Sequence, residues 1–180
     1  MKIPYRPEID GLRAIAVVAV ILYHAEFEVS GSLPFAGGYL GVDVFFVISG
    51  FLISKIILTE LEGRGRFSFL SFYQRRVRRI LPILLVVMLA SFPLAWIYLL
   101  PTAFVEFAQS MLYSLAFVAN FFFHSVTAAY GAESSLLKPL LHTWSLSVEE
   151  QFYLLFPLLV VGARFVFRKW LFVFFWCSAR

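Results

Sequence analysis

The sequence has few charged residues and a single cysteine. Only 14% of its 180 residues are Asp, Glu, Lys or Arg, whereas 61% are hydrophobic and 19% are aromatic. A soluble domain of this length has too little interior to bury that much apolar surface. The lone Cys177 excludes an intrachain disulfide and any metal site built from cysteines. The composition therefore excludes an ordinary soluble domain and favours an integral membrane protein.

The charged residues that are present gather in short basic clusters between long apolar runs. This pattern predicts an all-α, polytopic membrane helical bundle with about four to five membrane segments, forming one domain over residues 1–180. The net charge of +4 then reflects orientation in the bilayer and not nucleic-acid binding. Basic residues place the N-terminus and the 61–79 loop in the cytoplasm, so we expect a multi-pass protein of the inner (cytoplasmic) membrane.

The first predicted span is an apolar run that begins at Arg13, contains His24 and extends to Phe27. Arg13 and His24 are eleven positions apart, which on a helix puts them on nearly the same face at a separation of about 16 Å. One stripe thus carries a cation at its cytoplasmic end and an imidazole towards the other side. The alternatives are an interfacial arginine and a histidine that hydrogen bonds inside a bundle. We expect this segment to be retained, because it has no convincing signal-peptide cleavage site.

The second predicted span begins in a glycine-rich stretch, residues 37–41, which permits close backbone approach or a broken start to the helix. Asp43 follows a few residues inside this span. It is a candidate partner for His24 or Arg13, and the alternative is that it caps the helix.

Four arginines precede the third predicted span, which we expect to begin at Pro82. They are Arg75, Arg76, Arg78 and Arg79. A cluster this basic usually sets topology alone. Several guanidinium groups at one membrane surface could also hold the phosphates of an anionic ligand or of lipid headgroups.

Residues 104–123 form a segment that is long enough to span but carries Glu106, Gln109 and Asn120. If it crossed the membrane, the basic residues at 164–169 would face the wrong compartment, so we predict that it re-enters or lies at the outer interface. This topology puts Glu149 and Glu150 near the outer side, level with His24. A separate apolar run, too short to span, is expected from Trp170.

The most unusual stretch is Leu-His-Thr-Trp-Ser-Leu-Ser-Val-Glu-Glu-Gln-Phe-Tyr at 141–153. It opens an apolar segment, residues 144–163, that could cross about 30 Å of hydrocarbon. Glu149 and Glu150 fall inside that length, where ionisable groups usually mark a site. The alternative is a capping box, because Ser147-x-x-Glu150 has the required spacing.

Four motifs in order along the chain resemble the acyltransferase 3 family of membrane proteins, which includes the bacterial O-antigen and peptidoglycan O-acetyltransferases. They are Arg13-x10-His24, the 41–51 stretch Gly-Val-Asp-Val-Phe-Phe-Val-Ile-Ser-Gly-Phe, the Arg-x-x-Arg pairs 75/78 and 76/79, and the 142–153 stretch from His142 to Tyr153. The resemblance implies transfer of an acyl group, most often acetyl, from cytoplasmic acyl-coenzyme A to a hydroxyl of a cell-surface carbohydrate such as lipopolysaccharide O-antigen, exopolysaccharide or peptidoglycan. It implies a donor substrate, acyl-CoA, without a bound cofactor or metal. Because the family typically has about ten spans, we expect this chain to be its N-terminal half, with a C-terminal half missing.

The resemblance also suggests roles for individual residues. His24 is the candidate general base, or the acceptor in a covalent acyl relay. Glu149, Glu150 or Asp43 could orient its imidazole, and the two glutamates are grouped with it as catalytic. The candidate donor- or substrate-binding residues are Arg13, Asp43, Arg75, Arg76, Arg78, Arg79, His142, Trp144 and Tyr153. The alternatives are a non-enzymatic transporter fragment and an inactive truncated remnant.

Overall fold

The computed structural model describes residues 6–26, 32–128 and 138–178, with side chains up to residue 167. Within these ranges the chain forms six helices: α1 (Pro7–His24), α2 (Leu40–Arg64), α3 (Phe69–Tyr98), α4 (Pro101–Leu115), α5 (Ala119–Thr127) and α6 (Thr143–Ser178). They belong to two compact units, Met1–Phe67 and Ser68–Arg180. The predicted helical membrane bundle is confirmed.

Three helices in the described part of the chain are long and apolar enough to cross a membrane: α2, α3 and the Thr143–Phe167 part of α6. The predicted first span is not among them. Helix α1 has 18 residues and is about 27 Å long, but its first turns carry Glu8, Asp10 and Arg13. Arg13 therefore lies inside the helix and does not open it. The helix ends at His24, and Phe27 falls outside the described residues.

In the first unit, α1 and α2 approach each other through two glycines. A Cβ atom added at Gly38 would lie 2.2 Å from the carbonyl oxygen of Ala19, and one at Gly41 would lie 2.5 Å from that of Ala16. Both distances are far below van der Waals contact, so any larger residue would push the backbones apart. The close approach predicted for this stretch is confirmed.

In the second unit, α3 begins at Phe69, so the four arginines lie on a helix and not in a loop. Pro82 and Pro93 lie inside this helix. The predicted start of this segment at Pro82 is corrected, because the helix begins at Phe69 and continues through the proline. The turns before Pro82 are anchored by Phe72, which is 1% exposed.

Helices α4 and α5 form a hairpin. Helix α4 has 15 residues and is about 22 Å long, too short to cross the hydrocarbon core. The chain reverses at 116–118, where Phe117 adopts a positive φ of 53°. The rings of Tyr113 and Phe122 then stack with centroids 4.7 Å apart. Residues 104–123 thus form no single spanning helix, in agreement with the re-entrant interpretation.

The core of the second unit joins α3, the hairpin and the segment before α6. Its buried members are Leu84, Met88, Ala95, Phe107, Ala119, Phe122, Phe123 and Leu140. Helix α6 then continues for 36 residues to Ser178. The apolar run predicted from Trp170 is part of this same helix, because no proline or glycine between 163 and 178 interrupts it.

Candidate functional site

The polar residues of the 142–153 stretch divide between two faces of α6. Thr143, Ser147 and Gln151 recur every four residues and share one stripe. Ser147 does not cap the helix, which begins four residues earlier. Its hydroxyl donates to the carbonyl of Thr143 at 3.0 Å and accepts from the backbone N–H of Ala119 at 3.1 Å. The capping-box alternative is therefore wrong.

This stripe binds the α4–α5 hairpin. The hydroxyls of Thr143 and Ser114 are 2.7 Å apart. The Gln151 Nε2 donates to the carbonyl of Phe117 at 2.8 Å and to Oδ1 of Asn120 at 2.9 Å. We call the stripe and these partners the polar seam. Sequence reasoning missed its role, although three polar residues at four-residue spacing in an apolar segment were a signal for it.

The other face of α6 meets α3 through an arginine stacked on a tyrosine. The Cζ atom of Arg76 lies 4.2 Å from the ring centroid of Tyr153 and 5.7 Å from that of Phe72. Tyr153 is 3% exposed, and its hydroxyl donates to the Glu149 carboxylate. A guanidinium over an aromatic face is attracted by the ring quadrupole, more strongly where water is excluded. We refer to Arg76, Tyr153, Glu149 and Glu150 as the acidic cluster.

A hydrogen bond also joins α3 and α6 next to the stack of Arg76 on Tyr153. The hydroxyl of Tyr73 donates to the backbone carbonyl of Leu154 at 3.0 Å. Tyr153 and Leu154, which contact α3 beside Arg76, therefore lie about one helical turn from Glu149. Helix α6 begins beside the hairpin, and its acidic turn reaches the arginine-bearing end of α3.

Glu150 adds a carboxylate with an incomplete set of hydrogen bonds. Its Oε1 is buried and has no hydrogen-bond partner within the described ranges. Arg76 and Glu149 are both close enough to act on it electrostatically. Unpaired buried carboxylate oxygens are uncommon in folded proteins, because they have lost water without gaining a donor. The acidic cluster is thus a functional-site candidate on its own geometry.

The three other arginines of the cluster on α3 differ from Arg76. Arg75, Arg78 and Arg79 are exposed, whereas Arg76 is half-buried. Arg75 and Arg79 are one turn apart on α3, so their guanidinium groups can point to the same region. Exposed forks of this kind suit the oxygens of a phosphate.

His24 is the last residue of α1, and its ring is exposed. Its Nδ1 lies 2.9 Å from the carbonyl oxygen of Val20. Because a carbonyl can only accept, Nδ1 is the donor in this contact, and in the neutral imidazole Nε2 is then the nitrogen that can accept a proton. The Tyr23 ring supports the imidazole edge-on, with centroids 5.1 Å apart. The arrangement presents a proton acceptor at the exposed end of the helix.

Arg13 and Asp43 belong to the same unit as His24. Arg13 lies 3.6 Å from the carboxylate of Asp10, one turn earlier on α1. Asp43 is exposed in the first turn of α2, where the helix dipole favours an acid, and the N-cap is Tyr39. Within 6–26 and 32–128 the structure shows no ion pair from Asp43 to His24 or Arg13. Asp43 is therefore neither the cap nor the partner that the sequence suggested.

His142 and Trp144 lie at the start of α6. Both are exposed, and the backbone carbonyl of His142 accepts a hydrogen bond from Ser145 Oγ at 3.1 Å. Nine helical residues, about 13 Å, separate Trp144 from Tyr153. The two residues therefore do not join the acidic cluster.

Comparison with known proteins identifies the family. The family model described as "Acyltransferase domain" matches residues 6–179. A Staphylococcus aureus protein (strain MSSA476) named as a candidate O-acetyltransferase is 36% identical over 168 residues, which cover 93% of this chain and 27% of that protein. The O-acetyltransferase OatA of Staphylococcus aureus (strain NCTC 8325 / PS 47) is 36% identical over 156 residues, which cover 87% of this chain and 25% of OatA.

The chain spans about a quarter of the length of these curated relatives. No solved structure matches it. Because the family match extends over nearly the whole sequence, the chain belongs to the acyltransferase 3 family of membrane proteins.

Proposed function

We propose that this chain is part of a membrane O-acyltransferase, specifically an O-acetyltransferase, that moves an acyl group from acyl-coenzyme A to a hydroxyl of a cell-surface carbohydrate. Family membership and the names of the relatives support the reaction class. The observation that carries the proposal is His24. Its Nδ1 contacts the Val20 carbonyl, so in the neutral imidazole Nε2 is the nitrogen that can accept a proton at the exposed end of α1.

A sugar hydroxyl is a poor nucleophile at neutral pH and needs a base. In the proposed step, His24 Nε2 takes the hydroxyl proton while the sugar oxygen attacks the thioester carbonyl. The new ester C–O bond forms, the C–S bond breaks, and the imidazolium returns the proton to the departing thiolate. A covalent relay would need the same free Nε2, because the acyl group would first be carried on that nitrogen.

The donor's phosphates need a different surface. We assign them to the exposed Arg75, Arg78 and Arg79 on α3, with Arg13 as a further candidate on α1. Arginine suits phosphate because its planar fork can make two parallel hydrogen bonds. By the distribution of basic residues, this end of α3 and the N-terminus face the cytoplasm of the inner membrane, where acyl-coenzyme A is made. Glu149 and Glu150 are assigned to the reaction as its acidic residues.

The test is acyl transfer by the purified protein in lipid nanodiscs, with radiolabelled acetyl-coenzyme A and peptidoglycan or O-antigen fragments as acceptors. We expect acceptor-dependent release of free coenzyme A. His24→Gln should lower turnover about 10²- to 10⁴-fold, the usual worth of a general base, without weakening donor binding. His124→Gln is the matched control, because His124 is also an exposed histidine in the last turn of a helix, α5.

Transfer by His24→Gln at the wild-type rate would remove the catalytic assignment. A complete transferase that contains this chain and neither binds nor cleaves the thioester would overturn the proposal and favour a transport role. Equal losses in His24→Gln and His124→Gln would show that the effect is on folding and not on chemistry.

A further inference from the structure

We infer that Arg76 is a positioning residue, which holds Tyr153 and through it the Glu149 carboxylate, and that it is not one of the donor's phosphate ligands. The contact geometry stands alone, but the part about phosphates rests on the proposed function. The arginine cluster, one motif in the sequence, would then have two separate tasks.

The environment of Arg76 restricts the orientation of its side chain. Its guanidinium lies over two aromatic rings, those of Tyr153 on α6 and Phe72 on its own helix. Both rings are buried, because Tyr153 is 3% exposed and Phe72 is 1% exposed. Stacking on two fixed rings restricts the orientation of the side chain, whereas a phosphate ligand at a surface must turn towards its substrate.

The charge of Arg76 lies close to two acidic side chains of α6. Glu149 and Glu150 are adjacent in sequence, and two neighbouring carboxylates repel each other when both are ionised. Arg76 acts electrostatically on Glu150, and it stacks on the tyrosine that donates to Glu149. Its positive charge is therefore already offset within the protein, which weakens it as a ligand for an external anion.

The residues around Arg76 are spaced so that they lie on facing sides of α3 and α6. Phe72 and Arg76 are four residues apart on α3, and Glu149 and Tyr153 are four residues apart on α6. Each pair therefore lies on one face of its helix. The contact between Arg76 and Tyr153 joins the two pairs, so that one substitution on α3 should be felt by the acids on α6.

The experiment compares Arg76→Gln and Arg76→Lys with Arg79→Gln, which alters an exposed arginine less than one turn away. Acetyl-coenzyme A affinity is measured by calorimetry, and turnover is measured as a function of pH. We expect Arg76→Gln to keep the donor Kd within about twofold, lower kcat by roughly tenfold or more, and move the pH profile of turnover. Arg79→Gln should weaken donor binding by roughly tenfold and leave the pH profile in place. Arg66→Gln, which removes an exposed arginine outside the site, controls for the loss of one charge.

Arg76→Lys keeps the charge but loses the planar stack, so it should recover only part of the lost turnover. Full recovery would show that charge alone matters and would contradict positioning through the tyrosine ring. Loss of donor affinity in Arg76→Gln equal to that in Arg79→Gln, with an unchanged pH profile, would make Arg76 a phosphate ligand and overturn the inference.

A second measurement needs no activity. In a double-mutant cycle on thermal unfolding, Arg76→Gln and Tyr153→Leu should be non-additive, because each removes the same stack. Additive effects would reject the inference whatever the enzyme does. Coupling in a protein that transfers no acyl group would sustain the positioning contact and reject the proposed function instead.

Discussion

The two units hold their helices together by different means. In the first unit, α1 and α2 meet backbone to backbone at Gly38 and Gly41. In the second unit, α6 is joined to α3 and to the hairpin by side-chain hydrogen bonds and by an arginine stacked on a tyrosine. The first contact depends on residues without a Cβ atom, whereas the second depends on specific side-chain groups.

The difference decides what a polar residue in each unit is available to do. Because glycines make the contact in the first unit, His24 and Asp43 stay exposed at helix ends. In the second unit the 142–153 stretch is divided, so that Ser147 and Gln151 pack the hairpin while Glu149 and Glu150 face the arginine. Membership of the motif therefore does not by itself assign a residue to catalysis.

The largest effect of a substitution is expected at Gly41, in the contact between α1 and α2. Gly41→Ala places a Cβ atom where the Ala16 carbonyl oxygen lies 2.5 Å away, so α1 and α2 must separate. We expect a loss of about 2–3 kcal/mol in the free energy of unfolding, at the upper end of overpacking costs. Gly50 is the matched control on the same helix, because a Cβ there meets nothing within 4 Å.

Gly50→Ala should stabilise the protein by about 0.5–1 kcal/mol, since alanine has the higher helix propensity. Unfolding of both variants can be followed by circular dichroism in detergent micelles. Opposite signs at the two positions support the close contact. Similar stabilisation at both would show that α1 and α2 do not approach at Gly41.

The next largest effect is expected in the polar seam. Ser147→Ala leaves the buried N–H of Ala119 without its acceptor, and an unsatisfied buried donor costs about 1–3 kcal/mol. Ser145→Ala removes only an exposed bond to the carbonyl of His142, so its effect should stay within about 0.5 kcal/mol. Amide hydrogen exchange at Ala119 would report the loss locally. Equal stability of the two variants would remove the seam as the feature that holds the hairpin.

Sequence patterns predicted local features better than contacts between residues far apart in the sequence. The close approach near Gly41 was predictable because glycine has a direct steric meaning. That residues 104–123 do not form a single spanning helix was predictable from the sign of charges along the chain. The stack of Arg76 on Tyr153 was not, because it joins residues far apart in sequence whose helices could cross at many levels. Pro82 suggested the start of a helix, but α3 begins at Phe69 and contains the proline, because tertiary packing can override a local preference.

The smallest effect should come from the second link between α3 and α6. Tyr73→Phe removes the hydroxyl that donates to the Leu154 carbonyl at 3.0 Å, at a partly exposed position where water can replace the lost donor. We expect a loss of about 0.5 kcal/mol, the low end for a hydrogen bond, and no change in the stack of Arg76 on Tyr153. If this link and the stack set the level of the helices independently, Tyr73→Phe combined with Arg76→Gln should lose the sum of the two single effects in thermal unfolding. A loss in Tyr73→Phe as large as that in Ser147→Ala would mean that this hydroxyl, and not the cation over the ring, fixes α6 against α3.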